Sequence, residues 1–159
     1  FGGVYKLAAV EDEQGNIIPK IKISENTAKI TNPHYKKLYR FYDNESGKAL
    51  ADELCVYDET IDSTKPHTIF DPDAIWKTKT LTDYSVKELH VTVFKNGELV
   101  YKQPSLYEIR IYCAEQLETL WDEVKRFENP HTYYVDLSKK LWDIKNALLE
   151  KSKDGKNLK

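Results

Sequence analysis

The side chains best suited to chemistry in this sequence are basic, and they are concentrated between positions 20 and 40. Six basic residues occur there with a single acid, Glu25, so the segment has a net charge of +5, whereas the whole chain of 159 residues has a formal charge of −2. The six are Lys20, Lys22, Lys29, Lys36, Lys37 and Arg40. Charge segregated in this way creates a local field that attracts anions. The segment therefore predicts the binding of phosphate groups.

The spacing within residues 20–24 predicts how two of these lysines are presented. The segment alternates with period two, which is typical of a half-buried strand. Ile21 and Ile23 are then expected to face a core, while Lys20 and Lys22 point to the opposite side. Two ammonium groups at this spacing suit the oxygens of one or two phosphates.

A second alternating segment follows the Asn32-Pro33 turn, because proline biases the preceding residue toward extended conformations. Over residues 35–42 it places Lys36 and Arg40 on one face, where Arg40 offers a planar fork of donors. The alternative is that both lysine-rich faces serve only solubility and the protection of strand edges.

Other catalytic patterns are absent from the sequence. It has no Gly-x-Ser-x-Gly, Walker or His-Glu-x-x-His motif, and its four histidines are scattered. Asp52 and Glu53 are adjacent, so on a strand they point to opposite faces and make a poor acid/base pair. We therefore expect no catalytic residue and no metal site in this chain.

The acids between Asp52 and Asp73 are interpreted mainly as a solvated surface, because they lack the register of a calcium loop. Cys55 and Cys113 lie in apolar contexts without metal-type spacing. We expect both to be reduced, buried thiols, as in a cytoplasmic protein.

The elements that position these residues are predicted to be strands in the first two thirds of the chain. Residues 4–10, 17–24 and 35–42 have strand patterns, and Ala49 to Tyr57 alternates more weakly. Lys95-Asn96-Gly97 separates two alternating apolar runs and predicts a hairpin.

The last third of the sequence changes to helical periodicity. Ser105 and Glu108 have the spacing of a capping box, and an apolar stripe follows at steps of three and four as far as Phe127. A second helix is predicted around Leu137, Leu141, Ile144 and Leu148, with Asp136 or Ser138 near its start and Gly155 near its end. The expected fold class is α+β: a β-rich N-terminal section with hairpins, followed by two C-terminal amphipathic helices.

Composition limits the classes of partner. No apolar run approaches the ~20 residues that span a bilayer. The aromatic residues Tyr35, Tyr39 and Phe41 are predicted on the face opposite Lys36 and Arg40, and the overall charge is acidic, which disfavours nucleic-acid binding. We expect a cytoplasmic protein without membrane or nucleic-acid partners. Because the sequence contains no Met and opens on a strand-like segment, we interpret it as a fragment.

Several ordered segments together resemble the C-terminal part of nicotinate phosphoribosyltransferase. They are GGVYKL, KIKIS-x4-K-x-T-N-P, the following Tyr-Arg, VFKNGELVY and ENPHTYYVDLS, and the resemblance runs from Phe1 to about Leu149. It implies a full-length homodimeric enzyme that converts nicotinate, phosphoribosyl pyrophosphate and ATP, with Mg²⁺, to nicotinic acid mononucleotide and pyrophosphate in NAD biosynthesis.

The resemblance also implies a domain organisation. Residues 1–36 would be the last strands of the catalytic unit, residues 37–155 the C-terminal domain and residues 156–159 a basic tail. The remaining catalytic barrel would be a partner outside this chain, so we expect the isolated chain to be inactive.

Four basic residues are the phosphate-binding candidates implied by the resemblance. In related nicotinamide phosphoribosyltransferases, lysines in the matching strand and loop approach the phosphates of the sugar donor across a dimer interface. Carried over by position, these are Lys6, Lys22 and Lys29, with Arg40 weaker. Where many relatives have glycine after the Asn-Pro turn, this chain has His34, which puts the loop geometry in question if φ is positive there. The alternative is a structural or oligomerisation domain without ligand contacts.

Overall fold

The computed structural model describes residues 3–156, which form ten strands, two longer helices and two short ones. The strands are β1 (Ala9–Glu11), β2 (Ile17–Pro19), β3 (Lys36–Asp43), β4 (Ala49–Val56), β5 (His67–Asp71), β6 (Ala74–Leu81), β7 (Tyr84–Glu88), β8 (Phe94–Lys95), β9 (Glu98–Leu99) and β10 (Val135–Leu137). The α-helices are α1 (Leu106–Glu118), α2 (Asp122–Lys125) and α3 (Lys139–Lys156), and a 3₁₀ turn covers Thr27–Lys29. The predicted α+β class, with hairpins followed by C-terminal helices, is confirmed.

The chain divides into two compact units. The first contains the described residues up to Lys37, Leu54–Thr60 and the described residues from Leu137 onward, and the second contains Leu38–Glu53 and Ile61–Asp136. The largest sheet has four strands in the order β10-β4-β3-β7. Each unit has its own cluster of buried apolar side chains.

The core of the first unit lies under helix α3. Leu137 and Leu141 are buried with Val56, and Trp142 and Ile144 pack against them. This is the apolar stripe predicted at steps of four and three. Of the two predicted starts, Ser138 is the one that caps the helix: its Oγ accepts a hydrogen bond from Leu141 N at 3.2 Å.

The end of α3 differs from the prediction, because the helix continues through Gly155 to Lys156. Glycine ends a helix only where the chain turns into the left-handed conformation, and within the described residues the helix does not turn there.

The lysine-bearing segment of the first unit is not the predicted strand. Strand β2 ends at Pro19, and residues 20–24 have no strand structure. Proline has no N–H group to donate to the ladder. Ala8 precedes Ala9, the ladder partner of Pro19, and its carbonyl accepts hydrogen bonds from Lys20 N at 2.8 Å and from His34 N at 2.7 Å. Contrary to expectation, Ile23 is 39% exposed rather than facing a core.

The core of the second unit surrounds Phe41. Ala51, Ile69, Leu81 and Tyr84 are buried with it. Phe41 lies opposite Val86 in the antiparallel β3–β7 pairing, and its ring meets the edge of Tyr84 at a centroid distance of 5.5 Å. The predicted alternation along β3 is confirmed here, since Tyr39 and Phe41 are buried and Arg40 is not.

The hairpin at Asn96-Gly97 forms between β8 and β9, as predicted. Asn96 (φ 51°) and Gly97 (φ 82°) both have positive φ, which a two-residue type I′ turn requires. The regular ladder is shorter than the sequence suggested. The β5–β6 hairpin was not predicted, although Asp71-Pro72-Asp73 between its strands is a turn signal.

The predicted capping box of α1 is present, but the helix is shorter than predicted. Ser105 N donates to Glu108 Oε2 at 2.7 Å, and Glu108 N donates to Ser105 Oγ at 3.3 Å. The helix ends at Glu118, where Lys48 Nζ and Ala49 N donate to the carbonyls of Glu118 and Thr119, which have no donor within the helix.

The predicted apolar stripe of α1 is exposed. None of its residues is buried in the described part of the chain, and Leu106 is 74% exposed. Among residues 3–156, no helix is long and apolar enough to cross a membrane.

Candidate functional site

The candidate phosphate site lies in the first unit, where Lys6 lines a cavity of about 570 Å³. The walls are formed by residues 5–9 together with His34 and Tyr35. The Ala8 carbonyl holds the two sides together, because it accepts backbone hydrogen bonds from Lys20 and His34. The Lys6 side chain is exposed and makes no ion pair with any described residue. Its ammonium group is therefore available to an anion.

His34 has the left-handed backbone that glycine would adopt more easily at this position. Its φ is 78°, a conformation that costs a residue with a Cβ atom. Two contacts of the ring offset this cost: Nδ1 accepts from Tyr35 N at 3.0 Å, and the ring stacks on Tyr57 with a centroid distance of 6.0 Å and an interplanar angle of 19°. The turn after Asn32-Pro33 thus forms with a positive φ and without glycine.

Lys22 and Lys29 lie on an exposed loop of the same unit. Lys22 N donates to Thr31 Oγ1 at 3.0 Å, which fixes the backbone at this position. Lys29 ends the 3₁₀ turn that Asn26 caps, with Asn26 Oδ1 accepting from Ala28 N at 3.0 Å. Both lysine side chains are exposed, and neither makes an ion pair within residues 3–156. Hydrogen bonds hold the backbone of this loop, whereas the ammonium groups of both lysines are exposed to solvent.

Lys36 belongs to the basic segment but is used structurally. Its ammonium group donates to the His34 carbonyl, and its side chain is partly buried. Burial lowers the pKa of Lys36, because a desolvated ammonium group favours its neutral form. The hydrogen bond from Lys36 to the His34 carbonyl supports the left-handed turn at His34.

Arg40 belongs to the second unit, whereas the three lysines belong to the first. Its Nε donates to Asp52 Oδ1 at 2.7 Å and its Nη2 donates to Oδ2 at 2.9 Å, a two-bond fork. Asp52 holds the pKa of Arg40 above its ordinary value. Tyr133 completes the group: its hydroxyl donates to Asp52 Oδ1 at 2.9 Å, and its ring lies 5.7 Å from the guanidinium carbon. Burial raises the pKa of the Tyr133 phenol.

Two acids interpreted as solvated surface are in fact buried. Asp52 is 5% exposed and Glu53 is 2% exposed. They point to opposite faces of β4, as predicted, and each has found a cationic or donor partner: Asp52 binds Arg40, and Glu53 Oε2 lies 2.8 Å from His67 Nε2. The interpretation was wrong because two adjacent acids can each enter a core when a hydrogen-bonding partner lies beside each carboxylate.

The partner of Asp52 could have been found from the sequence. Asn44-Glu45-Ser46-Gly47 is a turn between two strand patterns, so a hairpin brings Arg40 and Asp52 near each other. Tyr133 carries no such signal, because it is 81 residues away from Asp52.

The cysteines differ from each other. Cys55 is buried, as expected, but Cys113 is exposed on α1, and neither forms a disulfide bond. Within residues 3–156 no group of three or more His, Cys, Asp or Glu side chains is arranged to hold a metal ion.

Comparison with known proteins assigns the chain to a family. The model of the "Nicotinate phosphoribosyltransferase C-terminal domain" matches residues 35–145. The chain is 38% identical to the nicotinate phosphoribosyltransferase of Bacillus subtilis over 144 residues, covering 91% of this chain and 29% of that protein. It is 30% identical to the human nicotinate phosphoribosyltransferase over 147 residues, covering 92% of this chain and 26% of that protein.

A solved structure shows the same fold. The crystal structure of human nicotinic acid phosphoribosyltransferase matches with a TM-score of 0.67 and 27% identity, covering 75% of this chain and 24% of that one. The chain thus spans between a quarter and a third of the length of the two relatives. Because the family model matches more than half of the chain, this chain belongs to the nicotinate phosphoribosyltransferase C-terminal domain family.

Proposed function

We propose that this chain acts as part of a nicotinate phosphoribosyltransferase, which joins nicotinate to the phosphoribosyl group of phosphoribosyl pyrophosphate and releases pyrophosphate, coupled to ATP hydrolysis. The observation that carries the proposal is the extent of the similarity to the Bacillus subtilis enzyme. The similarity covers 91% of the chain, which is more than residues 35–159 alone could account for. It therefore extends to residues before position 35 and includes part of the lysine-bearing segment.

The role of Lys6, Lys22 and Lys29 in this proposal is to bind the phosphates of the sugar donor. As the nicotinate nitrogen forms its bond to the anomeric carbon, the bond to pyrophosphate breaks and negative charge develops on the leaving oxygens. Fixed cations at that position stabilise the transition state more than the ground state. The exposed ammonium groups and the pinned backbone at Lys22 support this role.

Arg40 is the least supported of the four candidates. Both arms of its guanidinium fork are already held by Asp52, so a phosphate would have to replace that carboxylate. Breaking a largely buried ion pair costs on the order of 3 kcal/mol. Its contribution within the enzyme is more simply the support of β3 and β4.

The remaining parts of the reaction belong to the rest of the full-length protein. The described residues offer no group of ligands for Mg²⁺, so no step is assigned to a metal ion on this chain. We accordingly propose that ATP, Mg²⁺ and nicotinate are bound by the catalytic barrel, that the isolated chain is inactive, and that the full-length enzyme is a cytoplasmic homodimer.

The test is steady-state kinetics of the full-length enzyme with Lys22→Ala, Lys29→Ala and the double variant. We expect the KM for phosphoribosyl pyrophosphate to rise or kcat to fall by about tenfold or more per lysine, the effect of losing a charge-assisted contact of about 1.4 kcal/mol. Lys87→Ala, which removes an exposed lysine from β7, is the matched control. Unchanged kinetics in the double variant would show that the lysines do not bind substrate.

A second function, that of a structural or oligomerisation domain, is supported by the exposed apolar residues of α1. It predicts that Leu106→Asp and Ile109→Asp change the association state of the full-length enzyme in analytical ultracentrifugation while the lysine variants remain fully active. The two functions are separated by these paired results.

A further inference from the structure

A small cavity in the second unit carries an unassigned polar group. It lies against β5, β6 and the residues before β10, has a volume of about 170 Å³ and is lined by the apolar side chains of Ile69 and Phe70 and by Tyr134. A cavity of about 150 Å³ accepts a benzene ring, so a single six-membered ring fits this one. Exposed Thr78 and Lys79 also line it, which gives a ligand access from solvent.

The unassigned group is the carboxylate of Asp136, which forms part of the cavity wall. Asp136 is only 4% exposed, yet its side chain accepts no hydrogen bond and makes no ion pair within the described part of the chain. Its oxygens keep some solvent access, since Gln116 Oε1 is the only fully buried side-chain oxygen without a partner among the described residues, but a carboxylate in a largely buried residue is only partly hydrated. A donor that enters the cavity would supply the missing partner.

The second carboxylate of the cavity, Asp71, is already partnered. Its Oδ1 accepts from Asp73 N at 2.9 Å, and its Oδ2 lies 3.8 Å from Lys77 Nζ. Lys77 is two-thirds exposed, so its charge is directed largely to solvent and to Asp71. The free acceptor of the cavity is therefore Asp136.

We propose that this cavity is a binding site for a small planar cation with N–H donors, such as an amidinium or aminopyridinium group, whose ring packs between Ile69, Phe70 and Tyr134 while its donors bind the Asp136 carboxylate. A planar donor pair matches the two oxygens of a carboxylate. The wall combines apolar Ile69 and Phe70 with the unpartnered Asp136 carboxylate, while Asp71 pairs with Lys77 and Lys79 is exposed to solvent, so a planar cation suits the remaining acceptor. The site is independent of the proposed phosphoribosyl transfer.

The experiment is NMR titration of the 159-residue chain with benzamidine as the probe and neutral benzamide, its near-isostere, as the control ligand. We expect saturable binding of benzamidine with a Kd on the order of 1 mM, and amide shifts concentrated at residues 69–71, 78–79 and 134–136. Benzamide is expected to bind at least about tenfold more weakly, since it lacks the charge.

Two variants complete the experiment. Asp136→Asn keeps the shape of the side chain and should weaken benzamidine binding about tenfold or more. Asp73→Asn, which changes an exposed acid in the neighbouring turn, should leave the Kd unchanged. Absence of saturable binding, equal affinity for benzamide, or an unchanged Kd in Asp136→Asn would overturn the proposal. If Asp136→Asn alters the fold, the amide shifts of the unmodified chain decide: shifts confined to other residues reject the site.

Discussion

Arg40 binds both carboxylate oxygens of Asp52 through parallel hydrogen bonds of 2.7 Å and 2.9 Å, and the two side chains are 19% and 7% exposed. The pair connects neighbouring strands β3 and β4 within the second unit. Tyr133 donates a third hydrogen bond to the same carboxylate, so Asp52 satisfies two partners at once. This residue, adjacent to the buried Glu53, is a structural centre of that unit.

The first prediction concerns this pair. Asp52→Ala leaves a largely buried guanidinium group and the Tyr133 hydroxyl without their acceptor, so we expect the free energy of unfolding to fall by about 3 kcal/mol. Urea denaturation of the chain, followed by tryptophan fluorescence, measures the change. The control is Lys140→Ala, which removes the ion pair with Asp58 where both side chains are about half exposed. It should cost much less, because solvent screens an exposed ion pair. Equal effects of the two variants would contradict a special role for Asp52.

The second prediction separates the backbone and the ring of His34. His34→Gly and His34→Ala both lose the stacking on Tyr57 and the hydrogen bond from Tyr35 N, but only alanine retains the steric cost of a φ of 78°. We therefore expect the glycine variant to be more stable than the alanine variant by about 1 kcal/mol. Thermal unfolding of the two variants measures the difference directly. Alanine equal to or better than glycine would mean that the left-handed conformation is not maintained.

The third prediction concerns the capping box of α1. Ser105→Ala removes the acceptor of Glu108 N and should destabilise the helix by about 1 kcal/mol. Because no residue of α1 is buried in the described part of the chain, packing contributes little, and the loss should appear as faster amide hydrogen exchange throughout the helix. Ser105→Asp keeps an acceptor and is the control. Exchange rates that do not differ between the two variants would argue against the cap.

The fourth prediction concerns pH. Burial, together with the negative charges of Asp71 and Glu53, raises the pKa of Asp136 from its ordinary value of 3.8 to about 6. The folded state then binds more protons than the unfolded state between about pH 4 and pH 6, so this group lowers the stability as the pH rises through that window. Asp136→Asn lacks the effect.

The measurement for Asp136→Asn is urea denaturation at several pH values. We expect the variant to gain stability relative to the unmodified chain between about pH 4 and pH 6, and to remain more stable by about 1–2 kcal/mol at pH 7. Each tenfold change in the acidity of the carboxyl group on folding corresponds to about 1.4 kcal/mol. The rise of the pKa from 3.8 to about 6 therefore sets an upper limit of about 3 kcal/mol, and the expected gain lies below it. A stability difference that is the same at pH 4 and pH 7 would show that Asp136 has an ordinary environment.

The positions of the predicted strands illustrate how far local patterns reach. The alternation over residues 35–42 and the Asn96-Gly97 turn are confirmed, because a two-residue period and positive φ are local requirements. The strand predicted over residues 20–24 is wrong, because the β1–β2 ladder ends at the Ala9–Pro19 pair, and beyond it the Ala8 carbonyl is shared between Lys20 N and His34 N. Periodicity shows which residues could form a strand, whereas a partner with free hydrogen-bonding groups decides whether they do.

The sequence by itself determined the local features of this protein: the α+β class, the capping box at Ser105, the start of the last helix near Ser138 and the family to which the chain belongs. Only the tertiary structure decided that Arg40 is held by Asp52 and Tyr133, that Lys36 supports the turn at His34, and that Asp136 faces a cavity. Most of these outcomes depend on residues far apart along the chain, whose burial and charge pairing are set only when the strands come together. Helix caps and turns, by contrast, are set by neighbours within a few positions.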